Sequence, residues 1–226
     1  MLKSSSQSLD RKNDLSETIV DAAERLLRSY GYQKMTMTDL AAEAGIGVGT
    51  TYLHFASKSD VAVAVAERHH AAILAELTKL SHSDASPAEK LPTMLWFRVK
   101  TPYEMIKERL STVSWQQLSR QGMEFINDVH TSSPTRIQIW KDSEAAVYAN
   151  VIADGIASND FVPVEPMETA KTMLTALCGF TPKHLEQLDF NDSQTFENKV
   201  KGVIRLLVSG ISSSHRTNTF TTSKSK

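Results

Sequence analysis

The sequence predicts an all-α fold, and three features of its 226 residues support this prediction. Apolar residues recur at intervals of three and four along several long segments, which is the period of an amphipathic helix. No set of segments alternates apolar and polar residues with the period of two that is typical of strands. All seven prolines lie between Pro87 and Pro182, so the first 86 residues lack the residue that most disrupts helices. We expect an N-terminal three-helix domain followed by a larger helical domain.

The first four helices can be placed from their apolar stripes and end signals. Helix one is expected over Leu15–Tyr30, with Asp14 and Glu17 as an acidic capping box and Gly31 as the stop. A short second helix is expected over Thr38–Ala44, capped by Thr38.

Glycines at positions 45 and 47 then break the chain before a third helix at Val48–Phe55. The fourth helix is expected over Lys58–Leu80, because alanine is a poor strand former and the apolar spacing beyond residue 65 is helical.

The second half predicts four more helices, separated by the prolines. The stretch Ser81–Pro92 mixes Ser, Asp and Pro between two periodic segments, so it is the best candidate boundary. The last helix carries the broadest apolar stripe, opposite charged residues. The expected spans are 101–119, 134–157, 165–178 and 193–211.

Composition limits the class of protein. A hydrophobic fraction of 41% argues against disorder over most of the length, and the formal net charge of -1 argues against coating nucleic acid by charge alone. The single Cys178 excludes an intramolecular disulfide and suits a reducing cytoplasm. The longest apolar run, Val61–Ala66, is far shorter than the roughly 20 residues of a membrane-spanning helix, and the N-terminus lacks the apolar core of a secretion signal.

Residues 38–55 form the pattern short helix, glycine turn, short helix, which is typical of a helix-turn-helix. The longer run IVDAAERLLRSYGYQKMTMTDLAAEAGIGVGTTYLHFASKSDV, residues 19–61, resembles the TetR family of bacterial transcriptional regulators. The resemblance rests on the Gly31-Tyr32 exit from helix one, on Asp39-Leu40-Ala41 and Ala44-Gly45, and on the block Gly49-Thr50-x-Tyr52-x-His54-Phe55-x-Ser57-Lys58. It covers about the first quarter of the chain.

The resemblance implies DNA contacts of two kinds. Side chains at the start of the third helix would face base edges in the major groove, and these are Val48, Gly49 and Thr50. Other residues would contact phosphates, and these are Tyr52, His54, Lys58 and Thr38 with its backbone N–H. Tyr52 and Phe55 could also be ordinary core aromatics. This alternative is favoured for Phe55 and is the weaker one for Tyr52.

Three positions depart from the family pattern. Gly47 and Val48 stand where a polar or charged residue is frequent, so direct readout of bases is expected to be thin. Thr51 stands where an aliphatic residue is frequent and would bring a hydroxyl to the inward face of the helix. That hydroxyl would be unfavourable there unless it bonds a backbone carbonyl one turn back.

The second half predicts a ligand cavity and a dimer interface. Aromatic and methionine side chains there make a mostly apolar cavity plausible, although each of them could instead be an ordinary core residue. The candidate cavity residues are Trp96, Tyr103, Trp115, Phe125, Trp140, Tyr148 and Met173. Two late helices are expected to pair with their twins across a two-fold axis. The candidate residues for this contact are Met173, Leu177, Phe196, Val200, Ile204 and Leu207.

The predicted domains are a mobile tail at 1–12, a helix-turn-helix DNA-binding domain at 13–57, a helical ligand-binding and dimerisation domain at 58–211 and a second tail at 212–226. We expect a cytoplasmic, homodimeric, ligand-responsive repressor of a palindromic operator, with double-stranded DNA and a small apolar or aromatic effector as partners. No enzyme activity, cofactor, metal or membrane partner is expected.

Two alternatives remain open. A metal-dependent enzyme built on a helical bundle would need paired Glu-x-x-His elements or a Cys/His cluster. A helical adaptor without DNA binding is favoured only by Gly47, Val48 and Thr51. Residues 1–60 contain seven Lys+Arg and eight Asp+Glu, so DNA affinity would depend on a few placed groups.

Overall fold

The computed structural model describes residues 3–180 and 184–213, with side chains from Asp14 onward except at residue 188. Within these residues the chain is built from α-helices, and the only β-type pairing there is an isolated bridge between Phe161 and Ser212. The predicted all-α fold class is therefore confirmed. The helices are α1 (Lys3–Ser29), α2 (Met37–Ala44), α3 (Val48–His54), α4 (Lys58–Ser81), α5 (Pro87–Arg109), α6 (Trp115–Ser132), α7 (Pro134–Ala157), α8 (Pro166–Ala176), α9 (Gln187–Asn191) and α10 (Ser193–Ser209).

The first helix ends close to the predicted residue but begins earlier than predicted. Gly31 adopts a φ of 83°, the left-handed conformation expected of a residue just past a helix. The start lies at Lys3 rather than Leu15, so Asp14 is inside α1 and is not its cap. Its carbonyl instead accepts a hydrogen bond from Thr18 Oγ1 at 2.8 Å.

Part of each predicted tail lies within the described residues and has regular contacts there. α1 runs through residues 3–12, and at the other end the backbone N–H of Ser213 donates to the carbonyl of Asp160 at 3.0 Å. The remainder of the tail prediction, residues 1–2 and 214–226, lies outside the described residues.

The single helix predicted near 101–119 is wrong, because the structure divides this region between α5 and α6. The Pro-rich stretch taken as a boundary is a helix start: Ser86 and Glu89 form a capping box, and Pro87 occupies the first helical position, where a missing N–H costs nothing. α5 ends at Arg109. Ser114 caps α6 by accepting a hydrogen bond from the N–H of Gln117 at 3.3 Å.

The chain packs as two compact units. One consists of the chain up to Ala72 together with Val113–Ile139, and the other of Ile73–Thr112 together with the chain from Trp140 onward. The predicted boundary between residues 57 and 58 is a division by function, and it stays a prediction. No helix of the described chain is both long and apolar enough to cross a membrane.

The first unit buries small and aliphatic side chains from α1, α2 and α4. Alanines at the contacts let the short helices approach α1 closely. The residues at this core include Ile19, Ala22, Ala23, Leu40, Ala41, Val61 and Val65, all of them nearly inaccessible to solvent.

The second unit has an aromatic core. Tyr103 of α5 lies between Phe190 and Phe196, with ring centroids 4.9 and 4.0 Å away and the rings nearly parallel. The Tyr103 hydroxyl donates to the carbonyl of Asp189 at 3.0 Å, so this buried polar group is satisfied.

Candidate nucleic-acid interface

The start of α2 is fixed by a reciprocal cap that the sequence analysis assigned to the wrong threonine. Thr36 Oγ1 accepts a hydrogen bond from the N–H of Asp39 at 3.1 Å, and the Asp39 carboxylate accepts one from the N–H of Thr36 at 3.0 Å. Thr38 is therefore not the cap. It is exposed at the second position of the helix, where its backbone N–H has no partner within the helix.

Gly45 ends α2 and turns the chain into α3. Its φ is 68° and ψ 29°, and its N–H donates to the carbonyls of Ala41 and Ala42. The N–H of Ile46 also donates to Ala41, at 2.9 Å. This is the glycine-terminated exit that lets a second short helix begin at once, so the predicted helix-turn-helix is present.

α3 is anchored by Thr51. This residue is completely buried, and its hydroxyl donates to the carbonyl of Gly47 at 3.4 Å. The bond one turn back, which an inward hydroxyl would require, is therefore present, although it is long. It explains how a hydroxyl is tolerated on the inward face of the helix.

The opposite side of α3 is exposed. Val48 is 39% exposed, Tyr52 52% and Leu53 80%, and a side chain added at Gly49 would meet nothing within 4 Å. The exposure of Tyr52 excludes its alternative role as a core aromatic. Leu53 was missed by the sequence analysis, although a helical wheel places it beside Gly49.

His54 and Lys58 lie beside the exposed face, but both have partners within the protein. His54 Nδ1 lies 2.9 Å from Ser16 Oγ of α1. Lys58 Nζ donates to the carbonyls of Tyr32 and Gln33 at 3.2 and 3.4 Å, and it lies 4.4 Å from the centre of the Tyr32 ring. Both side chains thus help to fix the domain, whatever else they contact.

Ion pairs join α4 to α1 within the same unit. Arg68 Nη1 lies 2.5 Å from Asp21 Oδ1 and 3.4 Å from Glu24 Oε1, while Nη2 pairs with Glu17. Three acidic residues one turn apart on α1 therefore hold one guanidinium of α4. Since Arg68 is only partly exposed, these contacts are screened less than surface pairs.

α6 packs on the turn after α1 and on the start of α4, which nothing in the sequence had indicated. Gln121 Nε2 donates to the carbonyl of Tyr30 at 3.1 Å, and Phe125 meets the Tyr32 ring edge-on at 6.0 Å between centroids. Asp128 accepts a hydrogen bond from Ser59 at 3.2 Å. Burial, with the carboxylate of Asp128 nearby, raises the pKa of Tyr32 to about 12.

The predicted cavity residues are divided between the two units. Trp115 and Phe125 belong to the first unit, whereas Trp96, Tyr103, Trp140, Tyr148 and Met173 belong to the second. In the second unit Tyr103 and Tyr148 are buried with their hydroxyls bonded to protein, that of Tyr148 to the carbonyl of Met94 at 3.1 Å. Their role in a cavity stays a prediction.

An open groove of about 760 Å³ lies along α5 instead. It is lined by Phe97 and Met105 together with charged residues that include Lys100 and Glu104. None of the predicted cavity residues contributes to this groove. In the part of the chain that the structure describes, no group of three His, Cys, Asp or Glu side chains could hold a metal ion.

Most of the predicted dimer residues face the core of their own protomer. Met173, Leu177, Phe196, Val200 and Ile204 are buried, and only Leu207 is partly exposed. Their burial leaves them little surface for a partner, because the apolar stripe of α10 packs within its own unit. The outward side of the same helix carries Leu206, which is 73% exposed.

A family model described as bacterial regulatory proteins, tetR family, matches residues 19–65. This segment runs from α1 through the helix-turn-helix into α4. An uncharacterised HTH-type transcriptional regulator of Haemophilus influenzae is 37% identical over 68 residues, which cover 30% of this chain and 36% of the relative. The chain thus matches about a third of that relative's length.

Solved structures are similar over nearly the whole chain. A TetR transcription regulator from Haloarcula marismortui is 18% identical with a TM-score of 0.64, covering 88% of this chain and 99% of that one. The regulator FadR from Bacillus subtilis, solved in complex with stearoyl-CoA, is 20% identical with a TM-score of 0.57, covering 86% and 98%. The solved structures show a shared fold, and the segment of residues 19–65 is similar to the tetR family of bacterial regulatory proteins.

Proposed function

We propose that this protein is a ligand-responsive, DNA-binding transcriptional regulator of the cytoplasm. It represses transcription by binding a palindromic operator as a homodimer, and a small, mostly apolar or aromatic effector releases it. The observation that carries the proposal is the exposed face of α3, presented by a capped helix-turn-helix inside the segment that matches the family model. An α-helix with such a free face fits the major groove of B-DNA.

The proposed DNA contacts follow the exposure of the side chains. Val48, Gly49 and Thr50 face base edges, and Tyr52 reaches a phosphate from the same side of α3. Thr38 and its free N–H bind a second phosphate at the start of α2.

Lys58 and His54 are proposed as phosphate contacts that also support the domain. Lys58 has three N–H donors and two carbonyl acceptors, so one donor is available for DNA. His54 uses Nδ1 toward Ser16, which leaves its other ring nitrogen for a phosphate.

A homodimer supplies the remaining affinity. Two recognition helices read a palindrome only if their separation matches one turn of DNA, about 34 to 36 Å. The effector acts by changing that separation, and it must bind one spacing more tightly than the other, since equal affinity shifts nothing. The stearoyl-CoA complex of FadR supports an apolar effector for this fold. The groove along α5 and the aromatic residues of the second unit are where we propose to look for it.

The test is a gel-shift titration on DNA upstream of the protein's own gene, with unrelated DNA as competitor. We expect saturable binding that resists the competitor at moderate salt. Absence of sequence-dependent binding would contradict the proposal.

Lys58→Ala provides a sharper measurement. If Lys58 contacts a phosphate, Lys58→Ala should weaken binding about equally on every sequence. The magnitude of the slope of log affinity against log salt should fall by about 1. The matched control is Lys79→Ala, since Lys79 is an exposed lysine of α4 in the other unit. If Lys58→Ala and Lys79→Ala give the same salt slope, Lys58 only donates hydrogen bonds to the carbonyls of Tyr32 and Gln33 and does not contact DNA.

A further inference from the structure

The exposed face of α3 is apolar. At 100° per residue, Val48, Tyr52, Gly49 and Leu53 fall in that order within an arc of about 140° on the helix. These are the positions that the structure leaves open to solvent, and Leu53 is the most exposed of them at 80%. Val48, Tyr52 and Leu53 thus form one contiguous exposed apolar patch, which is the kind of surface that marks a candidate interaction site.

The helix lacks every side chain that usually reads bases through paired hydrogen bonds. Its sequence, VGTTYLH, contains no Arg, Lys, Asn, Gln, Asp or Glu. The hydroxyl of Thr51 bonds the carbonyl of Gly47, and His54 Nδ1 faces Ser16. Guanine, adenine and cytosine are distinguished in the major groove mainly by such bonds, so α3 is poorly equipped to select any of them.

We infer that α3 selects thymine, and that Leu53 together with Val48 contacts the 5-methyl groups of thymines in each operator half-site. This inference rests on the proposed DNA-binding function and adds Leu53 as a residue that determines specificity. Thymine is the one base that carries an apolar group into the major groove. A leucine contact with that methyl removes apolar surface from water on both partners.

Gly49 makes the contact geometrically feasible. It lies between Val48 and Leu53 on the exposed arc, and no atom lies within 4 Å of the position that a Cβ would take. With no side chain at Gly49, next to Leu53 on the arc, this side of the helix can approach the base edges closely, so that the aliphatic side chain of Leu53 reaches a methyl group.

The experiment removes the methyl groups and nothing else. Duplexes that the wild-type protein binds are first selected from a random-sequence library, and thymines in the half-sites are then replaced by deoxyuridine. Deoxyuridine keeps every hydrogen-bonding group of thymine. We expect the selected half-sites to contain thymine at fixed positions and the affinity to fall about fourfold for each contacted methyl that is lost. Deoxyuridine placed outside the half-sites should change nothing.

Leu53→Ala assigns the contact to its residue. The affinity of this variant for the thymine duplex should fall by about the same factor as the loss of one contacted methyl. The variant should no longer distinguish thymine from deoxyuridine at one position of each half-site. Ile139→Ala is the matched control, because Ile139 is an aliphatic residue of a different helix, α7, and is 61% exposed. It should keep the full response to deoxyuridine.

The outcomes separate the inference from the function on which it rests. Equal affinity for thymine and deoxyuridine duplexes would overturn the inference and leave the DNA-binding function standing. A change in oligomeric state of Leu53→Ala, with its response to deoxyuridine intact, would mean that Leu53 contacts protein and would also overturn it. If no duplex of the library is selected, the proposed function itself fails.

Discussion

Two threonines near the start of α2 have separate roles at the level of single residues. Thr36 closes the capping box with Asp39, whereas Thr38 is exposed and bonds nothing in the cap. We expect Thr36→Ala to lower the free energy of unfolding by about 1 kcal/mol, because an N-terminal N–H loses its acceptor. Thr38→Ala should change it by less than about 0.5 kcal/mol and should weaken DNA binding instead. Urea unfolding and a gel-shift titration on both variants measure these effects, and equal loss of stability in the two would contradict the assignment.

The roles of these residues show how far the sequence could predict the interface. The pattern around Thr51 indicated a hydroxyl on the inward face that would need a bond one turn back, and the structure contains that bond. The pattern could not choose between Thr36 and Thr38, because both precede an apolar stripe and a cap is decided by which φ and ψ the chain adopts. The partners of Lys58 lie 25 and 26 residues away in sequence, and periodicity carries no information about such contacts.

At the level of elements, the contact between α6 and the turn after α1 can be tested by comparing alanine substitutions at two glycines. Gly31 and Gly45 both have positive φ, so alanine at either costs about 1 to 2 kcal/mol in backbone strain. A Cβ at Gly31 would also lie 2.5 Å from atoms of the Gln121 side chain, whereas one at Gly45 would meet nothing. We expect Gly31→Ala to destabilise the protein more than Gly45→Ala, and Gln121→Ala to remove the excess.

Thermal unfolding of the four variants, the three single changes and the double change at Gly31 and Gln121, measures this coupling. A double variant no more stable than Gly31→Ala alone would indicate that α6 does not rest on this turn in solution.

The helices themselves were predictable where their signals were local. α7 was expected over 134–157 and is found there, because Pro134 opens it and its apolar spacing is continuous. The bounds of α5 and α6 were not predicted, since the prolines of α5 resemble helix breaks in the sequence. In the structure Pro87 begins this helix, and Pro92 and Pro102 lie within it. Tertiary packing of the apolar face holds such a helix together against its local preference.

For the whole molecule, the two sides of α10 predict different consequences of mutation. Phe196 is buried against Tyr103, so Phe196→Ala should destabilise the protomer by about 3 to 5 kcal/mol at any protein concentration. Leu206 is exposed, so Leu206→Glu should leave the helical content unchanged and weaken a homodimer that uses this side of the helix. Sedimentation over a range of concentrations and urea unfolding distinguish the two. A Leu206→Glu variant that sediments like the wild type would place the dimer contact elsewhere.

The open space around Gly49 bears on how such a regulator could change its target. A side chain at this position would meet no neighbouring atom, and the nearest atom to a Cβ at Gly47 is Thr50 Oγ1, at an ordinary 3.7 Å. Gly47 has a φ of -72°, and Gly49 also lacks the positive φ of Gly31 and Gly45. Asparagine or arginine could therefore enter here by single substitution without disturbing the fold and would bring side chains that form paired hydrogen bonds with bases to a helix that has none of these. Under the proposed function, α3 thus retains room to evolve, or to be engineered, toward a different operator.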